Sequence, residues 1–298
     1  MSTLTIFTPT YNRAHLLRRV YESLVTQTSQ DFEWLVIDDG STDFTRSLVE
    51  GFMREGRIAV SYVHKENGGL YTGYNEAYSR ITSELCVCID SDDFMPDDAV
   101  EIIIRTWRER GGEEYAGLIG LDFRLDTMEP IGGRFPDSMK DCYFLDLYTR
   151  RIHRGDSKVV TRTDLMRSVA PQIGFEGEKY FNPVYMLLQV CDTRKLIVVN
   201  ECLCIVDYQT GGDSMSEGIF RQYLDSPRSF AKQRLLEMTL RRSTFLNNLR
   251  SAIHYVSSCI IAGDRDWLRK SPRKVMTLVA APAGWLLIKY IRRKASQC

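Results

Sequence analysis

The chain has 298 residues, 44 % of them hydrophobic, and its 39 basic residues are balanced by 39 acidic ones. That length and apolar fraction are enough to bury a sizeable core in one large domain with an appendage. The eight cysteines include no Cys-x-x-Cys pair, which argues against structural zinc. Because Met1 leads directly into a β-rich segment without a signal peptide, we expect a reduced, cytoplasmic protein.

The amino-terminal third alternates short apolar strands with helical stretches. Strands are predicted at 3–8, 34–37, 58–63 and 85–89, and a polar loop follows each of them. This order predicts an α/β fold with a mostly parallel central sheet and flanking helices. Since ligands bind at the carboxyl ends of the strands in such sheets, we expect the four loops to converge on one site.

The loops themselves carry turn residues and carboxylates. In chain order they are Pro9-Thr10-Tyr11-Asn12-Arg13, Asp38-Asp39-Gly40-Ser41-Thr42-Asp43, Asn67-Gly68-Gly69 and Asp90-Ser91-Asp92-Asp93. Three carboxylates within four residues repel one another, and a divalent cation reverses that cost. Mg²⁺ or Mn²⁺ suits such oxygen ligands and completes its shell with water and phosphate oxygens. The last loop therefore predicts a metal–diphosphate site. The alternative is a set of solvated acids, with Asp93 or Asp97 capping a helix near 97–110.

These four motifs, in this order, resemble those of family 2 inverting glycosyltransferases of the capsule and exopolysaccharide type. The resemblance is strong over residues 3–100, looser to residue 210 and absent beyond. It implies the GT-A fold, a Rossmann-like and mostly parallel sheet, followed in this chain by a C-terminal helical appendage. It also implies transfer of a sugar from a nucleotide-diphosphate sugar.

The resemblance also implies roles for individual residues. Tyr11 stacks on the nucleobase, and Asp39 accepts a hydrogen bond from a uracil or thymine N–H, whereas Asp38 fixes the loop. Asp92, helped by Asp90, ligates Mn²⁺ or Mg²⁺ on the diphosphate. An ordinary tight turn is the alternative for 67–69. The remaining implied nucleotide-site residues are Thr8, Asn67, Gly68 and Ser91, and the implied sugar–diphosphate residues are Asn75 and Arg162, with Lys158 as an alternative to Arg162.

A catalytic base is expected in the segment Phe175-Glu176-Gly177-Glu178-Lys179-Tyr180. Inverting transfer needs a carboxylate that takes the proton from the attacking acceptor hydroxyl. Family members often have Glu-Asp or Gly-Glu-Asp here, and this chain has Glu-Gly-Glu instead. The resemblance implies Glu178 as the base and Glu176 as the second choice. The alternative is an acidic helix start beside the helix dipole.

The C-terminal region differs in composition from the rest, and we expect a catalytic domain over 1–215 and a helical region over 216–298. Residues 265–298 carry nine Lys or Arg and one Asp, so this tail has a net charge of +8 and the remainder −8. An acidic body argues against nucleic acid as a partner. The 14 uncharged residues 275–288 would span about 21 Å as a helix, against a hydrocarbon core of about 30 Å. The flanking charges favour an interfacial helix on an anionic membrane surface. A buried core helix and self-association are the alternatives.

Together these expectations describe a metal-dependent transferase at the inner face of the cell membrane. Its donor is expected to be a UDP-sugar, with thymidine open, and its acceptor a hydroxyl of a glycan or lipid-linked glycan in surface polysaccharide biosynthesis. One alternative is a nucleotidyltransferase that forms sugar nucleotides, although such enzymes usually begin with a Gly-rich phosphate loop. Another is a non-catalytic nucleotide-sugar- or glycan-binding partner of a different transferase. The transferred sugar and the oligomeric state stay open.

Overall fold

The computed structural model describes residues 2–207 and 218–296. Its main element is an eight-stranded sheet with the order β3-β2-β1-β4-β7-β5-β8-β6. Six strands point in one direction, and β6 and β7 run against them. The predicted α/β fold with a mostly parallel sheet is confirmed. The strands are β1 Leu4–Thr10, β2 Phe32–Asp38, β3 Val60–His64, β4 Leu85–Cys88, β5 Tyr115–Arg124, β6 Asp141–Cys142, β7 Ser157–Arg162 and β8 Lys195–Val206.

Helices cover both faces of this sheet and continue beyond it. One apolar core lies between the sheet and α1, α2 and α4, and a second lies between the sheet and α3, α5, α6 and α7. The helices are α1 Ala14–Val25, α2 Thr45–Glu55, α3 Leu70–Arg80, α4 Ala99–Arg110, α5 Phe144–Thr149, α6 Thr163–Val169, α7 Val184–Val190, α8 Ile219–Asp225, α9 Pro227–Glu237, α10 Phe245–Ile261, α11 Trp267–Lys270 and α12 Lys274–Ala295.

The centre of the sheet is apolar on both faces, as a parallel strand covered by helices requires. Every residue of β1 is buried, and β1 pairs in parallel with β2 on one side and β4 on the other. In the first core the ring of Tyr21 stacks on Phe52 with the centroids 4.0 Å apart. Strands β1, β2 and β4 are therefore held in register, so that their carboxyl ends meet at one edge.

Strand β7 is inserted between β4 and β5 and runs antiparallel to both. Leu85 at the start of β4 pairs with Arg162 at the end of β7, and Val87 pairs with Val160. The first residues of β7, Ser157 and Lys158, consequently lie at the carboxyl end of β4. This reversal decides which residues of β7 can reach the site.

The helices after the sheet form a third apolar core of their own. Tyr255 and Cys259 of α10 are buried there together with Ala280 of α12. Gly284 allows α12 to approach α10 closely, because a Cβ at that position would lie 2.8 Å from Cγ1 of Val256. The predicted helical appendage is confirmed, whereas the predicted domain boundary at residue 215 lies outside the described residues.

The start of α4 differs from its prediction. Its N-cap is Asp98, whose side chain makes no capping hydrogen bond. Asp97 accepts a hydrogen bond from Thr26 Oγ1 at 2.7 Å, and the carboxylate of Asp93 is directed towards Lys158. The interpretation of Asp93 or Asp97 as the helix cap was therefore wrong, and Asp93 belongs to a buried charge cluster.

Candidate functional site

A cleft of about 940 Å³ opens at the carboxyl ends of the parallel strands. The four polar loops converge on this cleft, as the position of ligand sites in parallel sheets predicts. Six of the predicted site residues line it, namely Tyr11, Asp39, Asn67, Asp90, Ser91 and Asp92. Gly68 contacts the cleft indirectly, since its backbone N–H donates to Asp39 Oδ1 at 3.0 Å.

The end of β1 brings an exposed aromatic ring to the cleft. Tyr11 lines the cleft and is 49 % exposed, which leaves a ring face available for stacking. Thr8 does not line it, because its buried Oγ1 accepts a hydrogen bond from Trp34 Nε1 at 3.0 Å within the core. The role of Thr8 as a nucleotide contact therefore stays a prediction that this placement does not support. Thr10, two residues later, lines the cleft, and its buried Oγ1 has no hydrogen-bond partner among the described residues.

Asp38 holds the second loop in place. Its Oδ1 accepts from the backbone N–H of Ser41 at 2.7 Å, and its Oδ2 accepts from Tyr62 Oη at 2.5 Å. The net result is a lowered pKa of Asp38, because these hydrogen bonds outweigh the effect of burial, which alone would raise it. A buried and ionised carboxylate with these partners fits the predicted role of fixing the loop.

Asp39 organises the third loop. Its Oδ1 accepts from Lys65 Nζ and from the N–H of Gly68, and its Oδ2 accepts from Asn67 Nδ2 at 3.2 Å and from the N–H of Gly69 at 2.8 Å. A carboxylate offers about four lone-pair positions, so these donors occupy the available capacity. A nucleobase N–H would have to replace one of these donors, and the flexible ammonium of Lys65 is the easiest to displace.

The acid-rich loop after β4 places Asp90 and Asp92 on the same cleft. Asp92 Oδ2 lies 3.2 Å from Arg13 Nη1. Burial raises the pKa of Asp92, Arg13 opposes that rise, and the neighbouring charge of Asp90 adds to it. Burial also raises the pKa of Asp93 to about 7, against the influence of Lys158. Negative charge is therefore costly at this loop without a cation.

The fit of this loop to a metal depends on its donor atoms. No group of three or more His, Cys, Asp or Glu side chains within the described ranges is arranged to hold a metal ion. Mg²⁺ and Mn²⁺ nevertheless need only one or two carboxylates when a nucleoside diphosphate supplies further oxygens. Asp90 and Asp92 line the cleft together, and the raised pKa of Asp92 shows the unfavourable charge that a cation would relieve. The residues present fit the implied group.

Lys158 and Asp122 enter the site from strands that the motifs do not mark. Lys158 Nζ lies 3.8 Å from Asp93 Oδ2, and both residues line the cleft with Asp122. Asp122 is 4 % exposed, and its buried Oδ1 has no hydrogen-bond partner in the described part of the chain. Burial raises the pKa of Asp122 to about 6, with Lys158 opposing the rise and Asp156 adding to it. The available sequence signal was a charged side chain within each strand, Asp122 in β5 and Lys158 in β7.

The structure places Arg162 away from the cleft, so its role at the diphosphate stays a prediction that this placement does not support. Its guanidinium forms a bidentate contact with Asp164, at 3.1 and 2.6 Å, and it does not line the cleft. Because β7 is antiparallel to β4, its last residue, Arg162, lies beside the first residue of β4, at the edge of the sheet opposite the cleft. Lys158, its alternative in the sequence, is the residue that β7 brings to the carboxyl end of β4.

Three further predicted residues lie outside the cleft lining. Asn75 uses both ends of its amide on the backbone of Gln172, at 2.9 and 2.7 Å, so its sugar contact stays a prediction that these contacts do not support. Glu178 is 6 % exposed and accepts hydrogen bonds from the first turn of α9, and the exposed Glu176 is not a lining residue either. Neither acid lines the cleft, and a catalytic base at Glu178 or Glu176 stays a prediction. Their neighbour Lys179 lines the cleft instead.

The sheet order, the converging loops and the charged cleft define an α/β protein of the GT-A type. The family model for glycosyl transferase family 2 matches residues 5–117. Glycosyltransferase GlyA of Streptococcus pneumoniae is 30 % identical over 145 residues, 49 % of this chain and 20 % of GlyA. Chondroitin synthase of Escherichia coli is 35 % identical over 107 residues, 36 % of this chain and 15 % of that enzyme. The chain thus aligns with a fifth or less of the length of these two relatives.

Solved structures support the same fold. Staphylococcus aureus TarS, residues 1–349 in complex with UDP-GlcNAc, superimposes with a TM-score of 0.61 at 14 % identity, covering 99 % of this chain and 92 % of that one. Mannosyltransferase PcManGT from Pyrobaculum calidifontis, in complex with GDP-Man and Mn²⁺, gives a TM-score of 0.55 at 15 % identity, covering 99 % and 83 %. Residues 5–117 thus match family 2 of the glycosyltransferases, and the fold of the chain is that of the GT-A structures.

Proposed function

We propose that this chain is an inverting, metal-dependent glycosyltransferase that moves a sugar from a UDP-sugar to a hydroxyl of a glycan or lipid-linked glycan. The observation that carries the proposal is the meeting of Tyr11, Asp39, Asp90 and Asp92 in one cleft. A ring face for a base, an acid for its N–H and two carboxylates for a metal match the parts of a nucleoside diphosphate. The complexes of TarS with UDP-GlcNAc and of PcManGT with GDP-Man and Mn²⁺ lend support from the same fold.

In this proposal Asp90 and Asp92 would hold Mn²⁺ or Mg²⁺, which would stabilise the charge of the diphosphate leaving group. Arg13 and Lys158 add positive charge on either side of the acid-rich loop. Tyr11 orients the base, and the turn at 67–69 closes the wall of the nucleotide site. The donor would then present its anomeric carbon towards the half of the cleft that contains Asp122.

We place the proton acceptor at Asp122 rather than at Glu178. A base must present an oxygen to the acceptor hydroxyl, and Asp122 lines the cleft with an Oδ1 that has no hydrogen-bond partner among residues 2–207 and 218–296. Both oxygens of Glu178 are already engaged by Arg228 and Ser229. The pKa of Asp122, raised by burial to about 6, suits a base that works near neutral pH.

The test is calorimetric titration with UDP, first with Mn²⁺ and then with the metal chelated, followed by product analysis with a panel of UDP-sugars. We expect metal-dependent UDP binding and release of UDP with inversion at the anomeric carbon. Release of pyrophosphate from a sugar phosphate and a nucleoside triphosphate would instead identify the nucleotidyltransferase. UDP binding without turnover over any acceptor would identify the non-catalytic partner, and absence of UDP binding would refute the assigned donor.

We further propose peripheral attachment to an anionic membrane at the cytoplasmic side through α12. The helix has 22 residues, more than the uncharged run in the sequence, and it alone among the described helices is long and apolar enough to span a membrane. One face packs on α10 through Gly284 and Ile288, both buried. The opposite face is apolar and at least half exposed, and it consists of Val275, Leu278, Val279, Trp285 and Leu286.

This division of α12 favours a helix that lies in the interface over one that crosses the bilayer. Crossing would remove the packed face from α10, whereas interfacial binding uses only the exposed face. The exposed residues Lys274, Lys289 and Arg292 lie along the same helix and suit anionic head groups. Its membrane role is best tested by point substitution, because deletion of α12 would also expose the third core.

The experiment is sedimentation with vesicles of neutral lipid alone and with 30 % anionic lipid (about the regime where polybasic segments respond). We expect binding to the anionic vesicles that weakens with salt, and at least a tenfold loss in the double variant Val279→Glu/Leu286→Glu. The control Met128→Glu/Leu125→Glu changes exposed apolar residues elsewhere. Equal partitioning of both double variants would refute the membrane role of α12.

A further inference from the structure

The segment that sequence reasoning assigned to the base is attached to the C-terminal helices. Glu178 Oε1 accepts from the backbone N–H of Arg228 at 2.9 Å and from its Nε at 3.0 Å, and Oε2 accepts from the N–H of Ser229 at 2.8 Å. These N–H groups belong to the first turn of α9, which begins at Pro227. Since the first N–H groups of a helix lack partners within it, a carboxylate there satisfies them and interacts favourably with the helix dipole.

The next residue along the chain enters the cleft. Lys179 lines the cleft beside the third loop, and its Nζ donates to Asn67 Oδ1 at 2.8 Å. Its backbone packs on the third loop, because a Cβ at Gly69 would clash with the carbonyl oxygen of Lys179. The N–H of Gly69 in turn donates to Asp39. A continuous set of contacts therefore joins the start of α9 to the wall of the nucleotide site.

We propose that Lys179 binds the nucleotide of the donor and that Glu178 is the positioning residue that holds Lys179 in the cleft through its contacts with Arg228 and Ser229. This inference rests on the proposed donor class. An ammonium at this wall supplies donors to the oxygens of a nucleoside diphosphate. The C-terminal helices then contribute to donor binding indirectly. Helix α9 holds Glu178, and the neighbouring Lys179 is the residue that contacts the ligand in this proposal.

The contacts also explain why Glu178 is buried. Removing the Arg228 guanidinium leaves the carboxylate with fewer donors in a site shielded from water, and that arrangement is costly. The segment 175–179 would then move away from the third loop, and Lys179 would move with it. Loss of either member of the pair should therefore weaken UDP binding by a similar factor, and loss of both should add little.

The experiment measures UDP affinity by calorimetry with Mn²⁺ present, and turnover as UDP release from a UDP-sugar. Lys179→Met should weaken UDP binding about tenfold, equivalent to about 1.4 kcal/mol, whereas Lys179→Arg should stay within about threefold because the charge is kept. Glu178→Gln and Arg228→Met should each raise the Kd and KM several-fold with kcat nearly unchanged. Lys140→Met, an exposed lysine on the loop before β6, is the matched control.

Three results separate the possibilities. Wild-type affinity in Lys179→Met would overturn the role of Lys179, and this exposed substitution should fold even if a Glu178 variant does not. Normal UDP affinity in Glu178→Gln with kcat lowered about 10²- to 10⁴-fold would make Glu178 the base and overturn the positioning role. Absence of UDP binding by the wild-type protein would refute the proposed donor class itself, and with it the inference, before any variant is compared.

Discussion

The two halves of the cleft are built in different ways. The donor half comes from loops that directly follow β1, β2, β3 and β4, which are parallel neighbours. The other half comes from the start of the antiparallel β7, the end of β5 and the segment 175–179. In the first half a single geometric rule places every loop. In the second half the residues come from elements of different direction and chain position, so no single rule predicts them.

The difference shows what a strand contributes to a site. A parallel strand delivers the residues that follow it, so chain order and position in the cleft agree. An antiparallel strand delivers the residues that begin it, so Lys158 reaches the cleft and Arg162 does not. The comparison predicts that substitutions in the donor half affect chemistry directly, whereas those in the other half affect charge balance as well.

The largest effect is expected from Asp92→Ala, in the donor half. Loss of a metal carboxylate removes several kcal/mol of charge stabilisation, so turnover should fall about 10³-fold or more. Stability without metal should not decrease, because burial and then the neighbouring charge of Asp90 disfavour the ionised form of Asp92 and raise its pKa. Turnover is measured as UDP release, and folding by circular dichroism.

The control for Asp92→Ala is Asp137→Ala, which changes an exposed acid that does not line the cleft. It should retain the turnover of the wild-type protein. Near-normal turnover in a folded Asp92→Ala protein would remove Asp92 from the metal site. Such a result would also contradict the expectation that substitutions in the donor half lower turnover directly.

The sequence was sufficient for the fold and for the donor half because both follow from local patterns. Apolar strands ending in Tyr11, Asp39 and Asp92 indicate a parallel sheet and its ligand edge without any long-range information. The hydroxyl of Thr8 does not face the cleft, because a hydroxyl in a buried strand finds a partner in the core, here Trp34. That partner comes from the neighbouring strand and is visible only in three dimensions.

The other half depends on long-range placement, which no local pattern carries. Arg162 and Lys158 differ by four residues, and only the direction of β7 decides between them. Glu178 matches a motif position, but its carboxylate meets Arg228, 50 residues further along the chain. Asp122 has no motif at all, and its importance appears only from its burial beside Lys158.

The second prediction compares the two ends of β7. Lys158→Met should lower the free energy of unfolding at pH 7 by about 3 kcal/mol, because the substitution leaves buried acids without their cation. Arg162→Met should lower it by less than about 1 kcal/mol, since the partner of Arg162 is the exposed Asp164. Urea unfolding of both variants measures the two values.

The same two variants, Lys158→Met and Arg162→Met, also show which of the two residues contributes to UDP binding. UDP affinity should decrease in Lys158→Met and stay within twofold in Arg162→Met. The opposite result, with Arg162→Met weakened and Lys158→Met unaffected, would contradict the antiparallel placement of β7. Similar small effects of both substitutions would show that the buried charges are not coupled to the donor.

The last prediction, and the most specific in its pH dependence, concerns Asp122→Asn. Burial raises the pKa of Asp122 to about 6, so the folded state holds a proton that the unfolded state releases near pH 4. The contribution of Asp122 to stability is therefore full below pH 4 and is lost as the pH rises through 6. The difference in free energy of unfolding, Asp122→Asn minus wild type, should therefore be larger at pH 8 than at pH 5, by roughly 1–3 kcal/mol.

The same variant tests the proposed base. If Asp122 accepts the proton, turnover of the wild-type protein at saturating metal rises with pH through about 6, and Asp122→Asn loses that rise together with about 10²-fold in kcat. Stability is measured in metal-free buffer and turnover with Mn²⁺, so that the two readouts stay separate. A stability difference with unchanged kcat would keep Asp122 as a buried partner of Lys158 and move the base to another acid of the cleft. The donor half would then still account for binding. The other half would contribute charge balance, and Asp122 would not accept the proton.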